Sequence, residues 1–106
     1  MKIIDWRSKI DGIDTALLHL LNLRIELALE VGGLKESEGV ALRVPAREQE
    51  ILSRMKSLNP GPLADDSVAK IYQVILNESI QTQQRHGFGN VSGKPARATR
   101  KKSGRK

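Results

Sequence analysis

Cationic side chains occupy helix positions that apolar residues would normally fill. In a heptad reading of the N-terminal third of the chain, Arg7, Arg24 and Lys35 fall in a seam of leucine, isoleucine and valine. Arg47 lies four residues before Ile51, on the same helical face of a later segment. An interior cation needs a partner, because burying it alone costs several kcal/mol. The pattern therefore predicts inward-facing cations that bind an anionic ligand.

Spacing along the first helix decides which of these cations can share one ligand. Arg24 and Lys35 are separated by about 16 Å of helix, which two long side chains can span around a compact molecule. Arg7 and Arg24 are about 25 Å apart, so Arg7 can reach the same ligand only from a second chain. Asp14, the one acid in the seam, cannot neutralise all the cations. The alternative is that the cations reach solvent from helix ends or set coiled-coil register.

A long first helix must carry most of these positions. Asp5 can cap a helix that begins near Trp6 and keeps apolar residues at spacings of three and four to about Lys35. This helix would be roughly 45 Å long, which is too long for a compact monomer of this size. Gly32 and Gly33 weaken its last turns by about 1 kcal/mol each relative to alanine, so we expect close packing there.

Two shorter helices follow the first. Pro45 suits the first position of a helix that runs to about Leu58, where an Asn-Pro-Gly-Pro run ends it. Asp65, or the aspartate after it, then caps a third helix that reaches about Gln84. The expected fold class is all-α, with three helices per chain, a long first helix and an intertwined six-helix homodimer.

Composition narrows the chemistry that the chain can perform. The 106 residues suffice for one domain, and the absence of cysteine excludes disulfides, thiolate nucleophiles and cysteine-bound metals. No cluster of His, Asp or Glu has metal-ligand spacing, so neither a metal nor an organic cofactor is expected. No apolar run is long enough to span a bilayer, and the N-terminus does not resemble a signal peptide. We therefore expect a cytoplasmic location.

Charge divides the chain into two parts. Residues 1–84 carry ten Lys and Arg and twelve acids, a net charge of −2, and form the expected helical domain. Residues 85–106 carry eight Lys and Arg and no acid, a net charge of +8. Because this second part has few large apolar residues, we expect a disordered tail. Residues 94–106 are similar to basic arms that contact phosphates, and at most a weak contact with polyanions is expected there.

The order and spacing of these residues resemble those of the all-α chorismate mutases of the AroQ class, over residues 4–84. Four segments carry the resemblance: Trp6-Arg7-xx-Ile10-xx-Ile13-Asp14, Leu20-Leu21-xx-Arg24-xx-Leu27-Ala28-xx-Val31-Gly32-xx-Lys35, Pro45-x-Arg47-Glu48-xx-Ile51-Leu52 and Ser79-xxx-Gln83-Gln84. The resemblance implies an isomerase that converts chorismate to prephenate, in the phenylalanine and tyrosine branch of aromatic amino-acid biosynthesis.

The resemblance implies that three arginines clamp the two carboxylates of chorismate, a dianion. Arg24 and Arg47 belong to the same chain as the site, and Arg7 is contributed in trans by the partner in the homodimer. Ser79 is implied as a further carboxylate ligand. Val44 departs from the pattern, because the best-known members have aspartate at this position. Valine is harmless if the position contributes its backbone amide, and otherwise it lowers affinity.

The resemblance also implies roles at the reacting end of the site. Lys35 and Gln83 match the pair that hydrogen-bonds the ether oxygen of the breaking bond, and Glu48 matches the acceptor for the ring hydroxyl. Without the resemblance, Glu48 could equally be a first-turn acid that favours the helix dipole. A unimolecular pericyclic rearrangement needs orientation and charge stabilisation, with no nucleophile, metal or general base.

Three other functions are compatible with the sequence. Isochorismate-pyruvate lyases share the fold and much of the cationic site. Ser79 favours the mutase, because an aromatic residue is expected there in lyases, whereas the apolar Val44 favours the lyase slightly. The basic tail suits a helical dimer that binds nucleic acid, although the rest of the chain is net negative. A purely structural dimerisation module would leave the cations in the seam without a role.

Overall fold

The chain forms three α-helices. A computed structural model describes residues 1–89 and contains α1 (Ile3–Glu38), α2 (Pro45–Leu58) and α3 (Asp65–Arg85). Within these 89 residues there is no β-strand. The prediction of an all-α fold with three helices and a long first helix is therefore confirmed.

The first helix is longer than the sequence predicted at both ends. It begins at Ile3 because the backbone amide of Lys2 donates a hydrogen bond of 2.9 Å to the carboxylate of Asp5. Asp5 is thus the third residue of the helix, and its prediction as the capping residue was wrong. At the other end α1 runs to Glu38, where Gly39 adopts a left-handed conformation with φ 72° and terminates the helix.

The second and third helices lie close to their predicted bounds. Pro45 is the first residue of α2, as its missing amide hydrogen favours, and the helix ends at Leu58. Asn59 then organises the connection, because its side-chain amide donates to the carbonyl of Leu63 and to the carboxylate of Asp65, both at 2.8 Å. Asp65 is the first residue of α3, and Ala64 occupies the N-cap position, which corrects the predicted cap.

Packing is concentrated at one end of the molecule. Helix α3 contacts both α2 and α1, and its inward face buries Leu76, Ser79 and Gln83 at spacings of three and four residues. Helix α1 meets this face with its C-terminal half, where Gly32 is its buried residue. The inward face of α3 therefore carries two polar side chains, which is unusual for a helix that forms the centre of a core.

The N-terminal half of α1 has no packing partner within the described chain. Every residue from 1 to 23 is exposed, including the large apolar side chains of Trp6, Ile10 and Leu17, each more than half exposed. An apolar stripe of this length is a surface that another chain can cover.

Residues 86–89 form a turn, which we call the C-terminal turn, after the end of α3 at Arg85. The predicted boundary between the helical domain, residues 1–84, and the tail that follows stays a prediction. The turn contacts α1, because the ring of Phe88 lies against Gly32 and Gly33. Residues 90–106 lie outside the described residues, and so does the predicted polyanion contact of residues 94–106.

In the part of the chain that the structure describes, no helix is both long enough and apolar enough to cross a membrane.

We predict that Gly32→Ala destabilises the fold whereas Gly33→Ala does not. A Cβ atom at Gly32 would lie 2.9 Å from Cδ2 of Phe88 and 3.2 Å from Cγ of Gln83, so the neighbours would have to move. Such overpacking costs about 1–3 kcal/mol. At Gly33 the nearest atom is 3.6 Å away, and alanine should add about 1 kcal/mol through helix propensity.

Urea unfolding followed by circular dichroism measures both free energies, and the two variants differ by one residue along the same helix. Equal stabilities of Gly32→Ala and Gly33→Ala would show that the close approach of Phe88 and Gln83 to α1 is absent.

Candidate active site

A cavity of about 330 Å³ lies where the three helices meet. Seven of the eight predicted site residues line it, together with apolar residues of all three helices. They are Arg24, Lys35, Val44, Arg47, Glu48, Ser79 and Gln83. The helices and the loop before α2 thus bring together residues that are up to 59 positions apart in the sequence.

The charge of the cavity lining is positive. Arg24, Lys35 and Arg47 contribute three cations and Glu48 contributes one carboxylate, which leaves a net charge of +2. The remaining lining is neutral, and most of it is aliphatic. A low-dielectric wall strengthens the field of these charges, so the cavity suits a compact molecule with two negative charges.

The side chain of Arg24, on α1, is oriented by Ser79, on α3. Nη1 of Arg24 donates a hydrogen bond of 3.1 Å to Oγ of Ser79, which is 6% exposed. The hydroxyl oxygen orients the guanidinium without neutralising it, because it carries no charge. The remaining N–H groups of Arg24 can bind a carboxylate in a bidentate manner.

Lys35 is held in a similar way by the loop that follows α1. Its Nζ donates a hydrogen bond of 2.9 Å to the backbone carbonyl of Leu42, and the Leu42 side chain is one of the buried apolar groups. An ammonium group has three N–H donors, so two stay available after this contact. The carbonyl, like the hydroxyl of Ser79, orients a cation and leaves its charge in place.

Gln83 is the most buried polar side chain of the site, at 5% exposure. Its Nε2 donates a hydrogen bond of 2.7 Å to the backbone carbonyl of Ala28 on α1. This contact fixes the orientation of the amide, because the carbonyl can only accept. Oε1 of Gln83 is buried without a hydrogen-bond partner in the described structure, and a water molecule can donate to such an atom.

Glu48 is fixed by a residue that the sequence analysis did not single out. Nη1 of Arg43 lies 2.9 Å from both carboxylate oxygens of Glu48, and Nη2 donates to Oδ1 of Asn77 at 3.1 Å. Arg43 thus links Glu48 at the start of α2 to Asn77 of α3. Arg43 was not predicted as a site residue because it lies in a loop, where helical spacing cannot indicate which way a side chain faces. Its closeness to an acid in the first turn of the next helix was the available signal.

Arg47 and Val44 line the cavity at the start of α2. The guanidinium of Arg47 is largely exposed and donates a hydrogen bond of 2.6 Å to Glu50, one turn further along the same helix. An exposed pair of this kind contributes little free energy, so a bound anion can compete for Arg47. Val44 presents no side-chain polar atom.

Arg7 is the predicted site residue that does not line the cavity. It lies in the exposed N-terminal half of α1, about 25 Å along the helix axis from Arg24. Within one chain the structure therefore does not bring Arg7 together with the other seven residues.

Comparisons with known proteins agree with this arrangement. Residues 6–84 match the sequence profile described as chorismate mutase type II. A chorismate mutase of Methanocaldococcus jannaschii is 33% identical over 85 residues, which is 77% of this chain and 86% of that protein. The bifunctional chorismate mutase/prephenate dehydratase of Neisseria gonorrhoeae is 39% identical over 82 residues, which is 77% of this chain. The match covers 22% of that protein, so the chain spans less than a quarter of its length.

A solved structure has the same fold. Chorismate mutase (form II) from Thermus thermophilus superposes with a TM-score of 0.78 at 30% sequence identity, over 80% of this chain and 97% of that chain. The family profile, the relatives and the solved structure together confirm the resemblance that the sequence motifs predicted. The chain belongs to the chorismate mutase type II family.

Proposed function

We propose that this chain is a chorismate mutase, which rearranges chorismate to prephenate within a homodimer. The observation that carries the proposal is the cavity of net charge +2, in which Arg24 and Lys35 are oriented by neutral acceptors. Chorismate carries two carboxylates, so its charge matches that of the cavity. The proposal extends to this chain an activity that its relatives carry in their names.

Binding and orientation are the first task of the site. The rearrangement breaks the bond from the ether oxygen to the ring and forms a carbon–carbon bond between the side chain and the ring. The side chain must therefore be held over the ring, and restricting a flexible reactant in this way lowers the barrier by several kcal/mol. Arg24, supported by Ser79, and Arg47 bind the carboxylates, because a planar guanidinium matches a carboxylate in two hydrogen bonds.

Charge stabilisation in the transition state is the second task. Negative charge grows on the ether oxygen as its bond to the ring breaks, so donors aimed at that oxygen bind the transition state more strongly than the substrate. Lys35 supplies an ammonium with N–H groups to spare, and Gln83 supplies the second N–H of its amide. Glu48, oriented by Arg43, accepts a hydrogen bond from the ring hydroxyl. Val44 contributes either its backbone amide as a hydrogen-bond donor to the substrate or only an apolar part of the cavity wall.

Dimerisation completes the site in this proposal. The N-terminal half of α1 exposes Trp6, Ile10 and Leu17, which a second chain can bury. Arg7 lies on the same stretch, and pairing two such helices would carry it toward the partner's cavity. A dimer with two-fold symmetry would contain two equivalent sites, each using Arg7 from the other chain.

The nearest alternative activity is that of an isochorismate-pyruvate lyase on the same scaffold. Ser79 supports the mutase, because it is buried and bonds to Arg24, where an aromatic residue is expected in lyases. Incubating the purified chain separately with chorismate and isochorismate decides between them. We expect prephenate from chorismate, and production of salicylate and pyruvate from isochorismate alone would reverse the assignment.

Two further expectations from the sequence stay predictions. One is the cytoplasmic location, which cell fractionation can test. The other is the weak polyanion contact of residues 94–106. A gel shift that depends on salt and is lost on truncation after Gly89 would support that contact while leaving the helical domain intact.

We predict that Lys35→Ala abolishes measurable mutase activity and leaves the dimer folded. Removing a charged donor from the ether oxygen should raise the barrier by about 3–4 kcal/mol or more. Chorismate consumption measures the rate, and circular dichroism with sedimentation measures folding and assembly. Lys56→Ala, an exposed lysine in the last turn of α2, is the control and should keep full activity. Full activity of Lys35→Ala would reject the assignment.

We predict that Arg7→Ala and Arg24→Ala chains complement each other. Each homodimer lacks one arginine in both sites, whereas a heterodimer of the two has one intact site and one that lacks both arginines. Refolding an equal mixture should therefore recover about a quarter of the wild-type activity. Separately refolded variants, mixed only in the assay, are the control. No recovery after joint refolding would contradict a site shared between chains.

A further inference from the structure

We propose that the C-terminal turn, residues 86–89, is a positioning element for Lys35 and Gln83. The inference rests on the proposed function, because it concerns the two donors assigned to the ether oxygen. None of the residues of the turn lines the cavity, so the turn acts on these donors through the residues that it contacts.

The turn is hydrogen-bonded to the backbone of Gln83. The backbone amide of Phe88 donates a hydrogen bond of 3.1 Å to the carbonyl of Gln83. The ring of Phe88 then lies over the C-terminal half of α1, because a Cβ at Gly32 would meet both Cδ2 of Phe88 and Cγ of Gln83. The aliphatic part of the Gln83 side chain and the ring of Phe88 therefore both pack against α1 at Gly32. This packing restricts the Gln83 side chain, whose Nε2 bonds to the carbonyl of Ala28.

The turn also contacts the end of α1 and the loop after it, whose Leu42 carbonyl accepts the hydrogen bond from Lys35. The backbone amide of Gly89 donates a hydrogen bond of 2.8 Å to the carboxylate of Glu36 on α1. A Cβ at Gly89 would lie 2.5 Å from Cδ1 and 2.8 Å from Cγ of Leu42, so the Leu42 side chain packs directly on this backbone. The carbonyl of Leu42 accepts the hydrogen bond from Lys35. Gly89 therefore directly contacts Leu42, the residue whose carbonyl orients the ammonium of Lys35.

Glycine is required at position 89 for two physical reasons. Its φ of 71° lies in the left-handed region, which side chains disfavour, and the space that a Cβ would occupy is filled by Leu42. Gly61 shares the first property, with φ 76°, but a Cβ added there would have nothing within 4 Å. Comparing alanine at these two glycines separates backbone strain from displacement of Leu42.

The consequence for catalysis concerns kcat more than KM. Lys35 and Gln83 act on charge that develops in the transition state, whereas the arginines hold the substrate. Loosening the turn should therefore lower kcat and leave KM nearly unchanged. Misplacement of donors by about 1 Å can reduce a rate by about 100-fold.

The test compares Gly89→Ala with Gly61→Ala in the full chain, using chorismate as the substrate. We expect kcat of Gly89→Ala to fall by about 10- to 100-fold with little change in KM, and kcat of Gly61→Ala to stay at the wild-type value. Phe88→Ala should lower kcat in the same way, and Phe88→Leu should restore part of it. These two variants keep the proposal testable if Gly89→Ala does not fold.

A second measurement does not depend on activity. The side-chain amide signals of Gln83 in NMR spectra, assigned from their absence in Gln83→Leu, should shift or broaden in Gly89→Ala and stay unchanged in Gly61→Ala. If the wild-type chain does not convert chorismate, the proposed function fails while this comparison still tests the positioning role. Wild-type kcat and unchanged Gln83 signals in Gly89→Ala and Phe88→Ala would overturn the inference, as would a loss that Gly61→Ala reproduces.

Discussion

The structure depends on keeping uncompensated positive charge between packed helices. A buried cation is tolerated only with hydrogen-bond partners, and an acidic partner would cancel the field that binds an anion. The chain resolves this conflict by giving its inner cations neutral acceptors, the hydroxyl of Ser79 for Arg24 and a backbone carbonyl for Lys35. The carboxylate of Glu48, which also lines the cavity, is paired with Arg43, and Arg47 is paired with Glu50. Arg24 and Lys35 are therefore the lining cations without an acidic partner among the described residues, and they account for the net charge of +2.

The same requirement explains why so little of the core is apolar. The centre of the fold is the face of α3 that carries Leu76, Ser79 and Gln83, so two of its three buried side chains are polar. Polar groups at these positions contribute less hydrophobic stabilisation than leucine or isoleucine would. The exposed apolar stripe of α1 has no packing partner among residues 1–89, so an additional surface could bury it. In our proposal, assembly supplies both the missing core and the missing arginine.

The helices and the cavity were predictable because they follow from periodic positions. Arg24, Lys35 and Gln83 stand where helical spacing requires inward-facing side chains, and they do line one cavity. Arg43 was missed because a loop residue has no assignable face. The C-terminal turn was missed because the composition of residues 85–106 is that of a tail, and one aromatic residue between two glycines carried the contrary signal. Asp5 was assigned to the right end of α1 but to the wrong cap position, since a capping box and a simple cap both place an acid there.

Rigidity is distributed unevenly over the site, and this distribution fits the proposed chemistry. The side chains of Gln83 and Lys35 each donate a hydrogen bond to a backbone carbonyl, and Gln83 is almost fully buried. Arg47 lies at the rim in an exposed pair with Glu50 and is free to exchange that partner for a ligand. Substrate carboxylates are bound equally in the ground state and the transition state, so an adaptable arginine suffices for them. Donors that stabilise only the transition state must be in place beforehand, because reorienting them during the reaction would add to the barrier. In the proposed mechanism, the fold therefore immobilises Lys35 and Gln83, the groups whose position would determine the rate.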